Sequence, residues 1–353
     1  MKFSHTDLLG FAERLLFSAG VPGDDARLVA RMLVQSDLSG YPAHGIAHIL
    51  SYLSRIQTGL IRLGQRPQVM REGKTTALVD GRFYIGQIAA YEATKLAIAK
   101  ASEHGVGVVS LFHSGHVGRL ADYVEMAAEE GMIGIALVSV GGNSIASYGS
   151  MASVGGTNPM AFGIPGRDGR HIILDFATAA MSMGELRHRV GRGEAIPEGV
   201  MLDGQGYPTT DFKVFSGPPK GVVLPFGGYK GSGLHLVAEI LGGLLTGNGL
   251  GREWWNRGGP AINGLFFQAI QIEEFQPMGE FLAKLDELVE FARSRQPAPG
   301  FGPIRLPGER SRANAERQMK DGVEMEETAW AELVRSAAEL GIQDIPMPLG
   351  EGR

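Results

Sequence analysis

HGVGVVSLFHSGHVG, residues 104–118, is the stretch on which the fold turns. Val106 to Phe112 reads as a buried strand. A dinucleotide-binding Rossmann turn needs its G-x-G-x-x-G after a strand and at the opening of a helix. Here Gly105-Val106-Gly107 precedes the strand, follows an alanine-rich helix at Gln87 to Glu103, and has Ser110 at the third glycine position. Gly105 therefore reads as a helix stop. The polar run His113 to Gly118 falls at the strand's end, where α/β sheets collect ligands, and two histidines and a serine are costly to bury there without a use. A lone loop histidine is ordinarily just solvated. His116, followed by Gly118, is the stronger candidate.

Outward from this strand, helices and strands alternate. Helices are expected near His5 to Ala19, at Asp24 to Asp37 and at His44 to Thr58, the first opened by Ser4 with Asp7 and closed by Gly20. A strand at Thr76 to Val79, then Val106 to Phe112, Ile133 to Val140, Ile172 to Leu174 and Leu265 to Ile272 read as the sheet. Between and after them come helices at Arg119 to Glu130, Ala179 to Val190, Ser232 to Leu245 and Met278 to Ser294. Past a Pro/Gly connector at Pro297 to Pro303, Arg310 to Lys320 and Glu326 to Leu340 are helical and can pack back on the N-terminal helices. The expected whole is an α/β core with a helical cap from both ends of the chain.

Composition excludes several classes. The 353 residues are 44% hydrophobic and 20% charged, enough for two or three packed domains. With 33 basic residues scattered among 38 acidic ones and a net charge of −5, nucleic acid is not an expected partner. The chain has no cysteine, so disulfides, thiolate metal sites and a cysteine nucleophile are out. No secretion-signal pattern and no run near the ~20 apolar residues of a membrane span is found, which makes a cytoplasmic protein the expectation.

Two further stretches carry chemistry. In DLSGYPAHGIAHILSYLSRIQTGL, residues 37–60, His44 and His48 stand one turn apart at a helix start, which puts two imidazoles on one face. GGYKGSG, residues 227–233, precedes a helix: its small residues let a ligand approach the backbone, free amides point outward, and Lys230 adds charge. An exposed lysine on a glycine-rich turn is equally common without a ligand.

Together these blocks resemble the malate/L-lactate dehydrogenase family of NAD(P)-dependent oxidoreductases, the type without a Rossmann fold. The resemblance runs nearly end to end, through PAHGIAHILSYLSRIQTGLI, HSGHVG with MAAEEGMIGIALVS, GGTNPMAFGIP, LDFATAAMSMGEL, GEAIPEG, LDGQGYPTTD, LPFGGYKGSG and RLPGER. It is nearest to the hydroxycarboxylate dehydrogenase members.

The resemblance implies an α/β fold with a largely antiparallel sheet flanked by helices. It also implies a helical terminal domain (residues 1–74 plus 306–353), a cofactor domain (75–120 plus 205–305) and a central third segment (121–204). It implies NAD or NADP as cofactor, NADH slightly favoured, a small 2-oxo or 2-hydroxy acid as substrate, no bound metal, and a homodimer. His44 matches the proposed general acid/base and His116 a second active-site histidine. Asp175, Phe176, Ala177, Thr178, Ala179, Ala180 and Met181 match a cofactor-lining segment. Tyr229, Lys230, Gly308, Glu309 and Arg310 match further cofactor contacts, and Thr157 and Asn158 the substrate pocket.

Two positions depart from the family pattern. Where many members carry serine and arginine to hold the substrate carboxylate, this chain has Ala43 and His48. His48 becomes a weaker, pH-dependent anchor, unless the carboxylate is held by Lys230 or another basic residue. Three other readings follow from the same residues: a reductase of cyclic imine carboxylates, since the same geometry serves C=N; a cofactor-binding protein without turnover; and a three-histidine zinc site. The zinc reading lacks an HExxH pair, Gly45 standing where that motif has glutamate.

Overall fold

The computed structural model describes residues 1–256 and 262–350 of the chain. Its centre is a seven-stranded sheet of β2 (Gln68–Glu72), β3 (Thr76–Asp80), β4 (Val106–Ser114), β5 (Met132–Val140), β8 (Met160–Ile164), β9 (Ile172–Phe176) and β13 (Asn263–Gln271). The spatial order is β2-β3-β4-β13-β5-β8-β9. Every neighbouring pair is antiparallel except β3 and β4, which helix α4 (Gly86–His104) joins by a crossover. The sheet is thus largely antiparallel, as expected.

Side chains alternate across the sheet and divide its two faces. Ala136, Val138, Leu265 and Phe267 pack beneath α4 and α5 (Ala121–Glu129), while Leu137 and Met160 pack with Ala238 of α7 (Tyr229–Glu239). Helix α4 lies very close to the sheet because Gly107 has no side chain, and a Cβ there would come within 1.9 Å of the Ala97 carbonyl oxygen. Gly105 ends α4 in the left-handed region at φ 80°, its N–H donating to the Ala101 carbonyl at 2.8 Å. The two glycines of the G-V-G run therefore stop a helix and seat it.

A helical layer built from both ends of the chain covers one side. α1 (His5–Ser18), α2 (Gly23–Leu38), α3 (Ile49–Gln57), α10 (Glu309–Asp321) and α11 (Glu327–Glu339) share one core with Phe3, Phe11, Leu33, Ile49, Trp330 and Leu333. β1 (Lys2–Phe3) pairs with β14 (Val323–Glu324). A second small sheet, ordered β11-β10-β12-β6-β7, gathers β6 (Ile145–Ala146), β7 (Ser153–Gly155), β10 (Met201–Leu202), β11 (Pro208–Thr209) and β12 (Val222–Val223). Residues 121–204 are shared out: α5, β5, β8 and β9 build the central sheet, while β6, β7, β10 and α6 (Met183–Gly191) pack around the small one.

Several elements differ from the expected ones. The helix expected from His44 starts only at Ile49, after two 3-10 turns at Pro42–His44 and Ile46–His48. The helix expected over Ser232 to Leu245 begins at Tyr229 and gives way to a π turn over Ile240–Leu244. Ser4 begins α1 without a side-chain cap, its hydroxyl being bonded to Thr6 at 2.6 Å. β2 and β8 are additional strands.

Candidate active site

The histidine turn is fixed from below. Asp37, in the last turn of α2, is buried, and its Oδ2 accepts the Ile46 N–H at 2.7 Å. Gly45 sits directly on this carboxylate, where a Cβ would come within 1.8 Å of Oδ1, so no larger residue fits. Burial pushes the Asp37 carboxyl up to about 7. From α10, Gln318 Nε2 donates to the carbonyls of Asp37 at 2.7 Å and Leu38 at 3.0 Å.

This turn and the end of β4 bring all three expected histidines together. His44 Nδ1 lies 3.0 Å from His116 Nε2, and the His48 ring stacks on His116 with centroids 4.0 Å apart. The other nitrogen of His116, Nδ1, is 2.8 Å from the Tyr52 hydroxyl, which is itself 3.0 Å from Gln87 Oε1. With the Tyr52 proton donated to Gln87, the rest of the chain is determined. His116 donates from Nδ1 to the Tyr52 oxygen and accepts on Nε2 from His44 Nδ1–H, which leaves the lone pair of His44 on Nε2. That Nε2 makes no hydrogen bond among the described residues.

The electrostatics keep all three rings neutral near pH 7. Burial, with Arg119 beside it, lowers His44 to about 4. Burial, His44 and Arg55 lower His48 to about 4, against a smaller opposing effect of the Ala43 carbonyl. Burial and the neighbouring His48, His44 and Arg55 hold His116 well below the ordinary histidine range. The cause of the His44 shift is therefore burial and a buried arginine. Arg119 forms an ion pair with Asp122, its Nε donating to Asp122 Oδ1 at 3.1 Å. His48 Nε2 is buried without a hydrogen-bond partner.

A second polar cluster lies under the sheet. The buried Glu239 accepts from Ser139 at 2.9 Å and Asn158 Nδ2 at 2.7 Å on one oxygen, and from the Gly251 N–H at 2.6 Å on the other. Asn158 Oδ1 accepts the Val140 N–H at 2.9 Å. Thr178 donates to the Thr157 carbonyl at 2.8 Å and lies 3.1 Å from His235 Nδ1. Asn158, expected at the substrate pocket, is fully buried with its amide spent on protein partners, which leaves its side chain no free polar atom. Its φ of 35° is unusual for a residue with a side chain, and the network holds it there.

The expected cofactor segment leaves the central sheet after Phe176, and Ala179 forms an isolated antiparallel bridge with Pro225 while packing against the core of the small sheet. Asp175 Oδ2 accepts the Ala121 N–H at 2.8 Å, capping α5, and burial raises its carboxyl to about 6. Beyond Met181 the chain passes against the histidine turn, since a Cβ on Gly184 would lie 2.7 Å from Ala43 Cβ.

Ala180, Gly227, Gly228 and Tyr148 line a cavity of about 570 Å³ at the start of α7. Gly227 and Gly228 adopt φ 57° and 65° there, and Tyr229 and Lys230 are exposed. A second cavity of about 690 Å³ is lined by Arg293, Arg295, Phe301, Arg305 and Glu309. Gly308, at φ 91°, precedes α10, Glu309 is ion-paired with Arg293, and Arg310 is exposed outside the cavity lining.

Tyr52, Gln87, Arg55, Arg119, His235 and Glu239 were not anticipated. Only Tyr52 left a usable trace, one helical turn after His48.

The chain resembles characterised proteins along nearly its whole length. A family model described as malate/L-lactate dehydrogenase matches residues 3–334. A malate dehydrogenase of Pyrococcus abyssi is 35% identical over 351 residues, covering 96% of this chain and 95% of that protein. Hydroxycarboxylate dehydrogenase B of Escherichia coli is 30% identical, with 97% and 95% covered. The solved structure of malate dehydrogenase from Pyrococcus horikoshii superposes with a TM-score of 0.89 at 33% identity, covering 97% of this chain and 96% of that one.

Proposed function

This chain belongs to the malate/L-lactate dehydrogenase family, and from that premise we propose that His44 is the proton donor when a 2-oxo acid is reduced to its 2-hydroxy acid. The protein is an oxidoreductase of hydroxy acids working with a nicotinamide cofactor. The observation that carries the proposal is the free Nε2 of His44, the one open end of the chain His44–His116–Tyr52–Gln87.

The residues present fit a dinucleotide. Gly227 and Gly228 expose backbone at the α7 N-terminus, Lys230 stands beside them, and Arg293, Arg295 and Arg305 surround the larger cavity. Tyr229 and Lys230, the backbone of Asp175 to Met181, and Gly308 to Arg310 would hold the cofactor. When bound, it supplies the hydride. In the reducing direction His44 gives the proton on Nε2 to the carbonyl oxygen. In the oxidising direction neutral His44 accepts the hydroxyl proton there. His116 fixes the ring tautomer from behind and spreads the positive charge that appears on His44 during oxidation. His48, with its unpartnered Nε2, faces the substrate's polar end. Thr157 and Asn158 hold the pocket floor.

We take NADH over NADPH as the finer choice, as the family resemblance implies, with Glu309 the one acid among Arg293, Arg295 and Arg305 available to a ribose hydroxyl. We also read the protein as a cytoplasmic homodimer. Exposed Leu236, Val237, Ile240, Leu244 and Leu245, from α7 into the π turn, support association. Among the described residues no helix is long and apolar enough to cross a membrane. The test is a screen of NADH and NADPH oxidation over 2-oxo acids of increasing size, repeated with His44→Ala. Turnover in the wild type that the variant loses is expected; an equally active variant removes His44 as donor.

A further inference from the structure

Tyr52 stands between two acceptors with one proton to give. Its side chain is buried, with the hydroxyl 3.0 Å from Gln87 Oε1 and 2.8 Å from His116 Nδ1. Gln87 therefore decides which way the chain behind His44 runs. It is fully buried in the first turn of α4, which is pressed against the histidine block: a Cβ on Gly86 would come within 2.4 Å of the His116 carbonyl oxygen. Only one end of its amide is used. Nε2 is buried without a hydrogen-bond partner among the described residues, and it lies beside Gly118, where a Cβ would come within 2.9 Å of it.

An amide turned over about its last bond fills the same space, because its oxygen and nitrogen are alike in size and differ only in accepting or donating. With Oε1 toward Tyr52, the hydroxyl donates to Gln87, both imidazoles are protonated on Nδ1, and His44 presents a lone pair on Nε2. With Nε2 toward Tyr52, the polarity reverses. Gln87 donates, Tyr52 gives its proton to His116 Nδ1, His116 donates from Nε2 to His44 Nδ1, and His44 presents Nε2–H. Either arrangement keeps the contacts at 3.0, 2.8 and 3.0 Å and leaves one amide atom unpaired, so the two lie close in energy.

We propose that Gln87 is a positioning residue whose amide turns over once per turnover, setting His44 to accept the proton of the hydroxy acid in one arrangement and to hold the carbonyl of the oxo acid in the other. The inference rests on the proposed 2-oxo acid reduction and supplies the reset that His44 needs between the two directions. Reduction starts with Nε2–H outward. His116 takes up one proton from water on Nδ1 as Tyr52 turns to Gln87, and its Nε2 proton passes to His44 Nδ1. The Nε2 proton of His44 goes to the carbonyl oxygen while the carbon receives the hydride. His44 is left with its lone pair on Nε2, which is the arrangement oxidation uses. Oxidation runs the steps backwards and releases one proton to water, so protons and charge balance in both directions.

The experiment reads which nitrogen of His44 and His116 is protonated, by nitrogen NMR of isotope-labelled histidine at neutral pH. Gln87→Glu, whose carboxylate only accepts, should hold both rings protonated on Nδ1. Gln87→Leu leaves the Tyr52 proton no acceptor but His116 and should hold both on Nε2. With NADH present, the unreactive oxo-acid analogue oxamate should bind Gln87→Leu at least about tenfold more tightly than Gln87→Glu. Turnover in both directions should fall about tenfold or more in each variant, since neither can reset. The same protonated nitrogens in both variants, or equal oxamate affinity, with only the melting temperature lowered, would make Gln87 a packing residue and overturn the proposal. If the buried carboxylate unfolds Gln87→Glu, the same comparison between Gln87→Leu and wild type decides. Tautomers that never invert in a protein whose turnover His44→Ala abolishes sink the switch alone. Inverting tautomers in a wild type that reduces no 2-oxo acid sink the proposed reaction alone.

Discussion

The molecule holds two buried clusters that each contain histidine, and they are opposites. Around Glu239, every polar atom of Asn158, His235 and Thr178 has a protein partner, and both carboxyl oxygens accept from neutral donors. Around His116, the hydrogen-bond chain runs out at an open nitrogen on His44, and a second ring nitrogen is orphaned on His48. A closed network stabilises a shape. An open one keeps unmet demand where a ligand can satisfy it. Histidine alone does not distinguish chemistry from architecture; the state of its second nitrogen does.

The contrast breaks first at His44. His44→Ala should cut turnover ~10²- to 10⁴-fold with little change in melting temperature. The equivalent disruption of the closed network should do the reverse, and a His44→Ala variant that keeps its turnover but melts at a markedly lower temperature would erase the distinction.

The next largest effect is on pH. His44 titrates near 4, so at neutral pH the proton-loaded ring that reduction needs is the minor form. Above about pH 5, kcat/KM for reduction should fall about tenfold per pH unit, while kcat/KM for oxidation, which needs the neutral ring, stays flat. A reduction profile flat from pH 5 to 8 would mean that His44 is not the donor in the free enzyme.

Glu239→Gln tests the closed side. An amide presents N–H where Gly251 N–H or Ser139 must donate, leaving one donor unsatisfied, and should cost ~1–3 kcal/mol in chemical unfolding. Turnover should remain within a few-fold at temperatures where the variant is folded. Tyr52→Phe sharpens the open side: it keeps the ring but frees the His116 tautomer, and about a tenfold loss in kcat is expected, with ~1–3 kcal/mol of stability lost to the unpaired Gln87 and His116 groups. The smallest change is Glu309→Gln. It should move the NADPH-to-NADH preference a few-fold toward NADPH in parallel kcat/KM measurements.

Much of this was legible in the chain. The G-V-G run gave away its structural role through its order relative to β4, and the two blocks that single out His44 and His116 do meet in the fold, 3.0 Å apart. What stayed hidden had local physical reasons. β2 buries none of its five side chains, so QVMRE carries no alternation to read. The start of α3 is delayed because Asp37, not a cap within the turn, dictates the path of residues 42–48. Glu239 sits in a helical pattern where an acid ordinarily faces water, and only contacts from residues 139, 158 and 251 turn it inward. Tyr52 and His116 meet across 64 residues of chain, a separation no window of sequence spans.

The clasp of Gln318 on the end of α2 ties the chemistry to the direction of protein synthesis. His44, Tyr52 and His116 leave the ribosome some 200 residues ahead of the strand that partners Lys2–Phe3 and the amide that braces Asp37. A growing polypeptide thus carries its reactive side chains long before it can aim them. A fragment cleaved ahead of residue 318 should bind neither substrate nor proton in register. An aimed histidine turn is in effect a certificate that translation has passed residue 318.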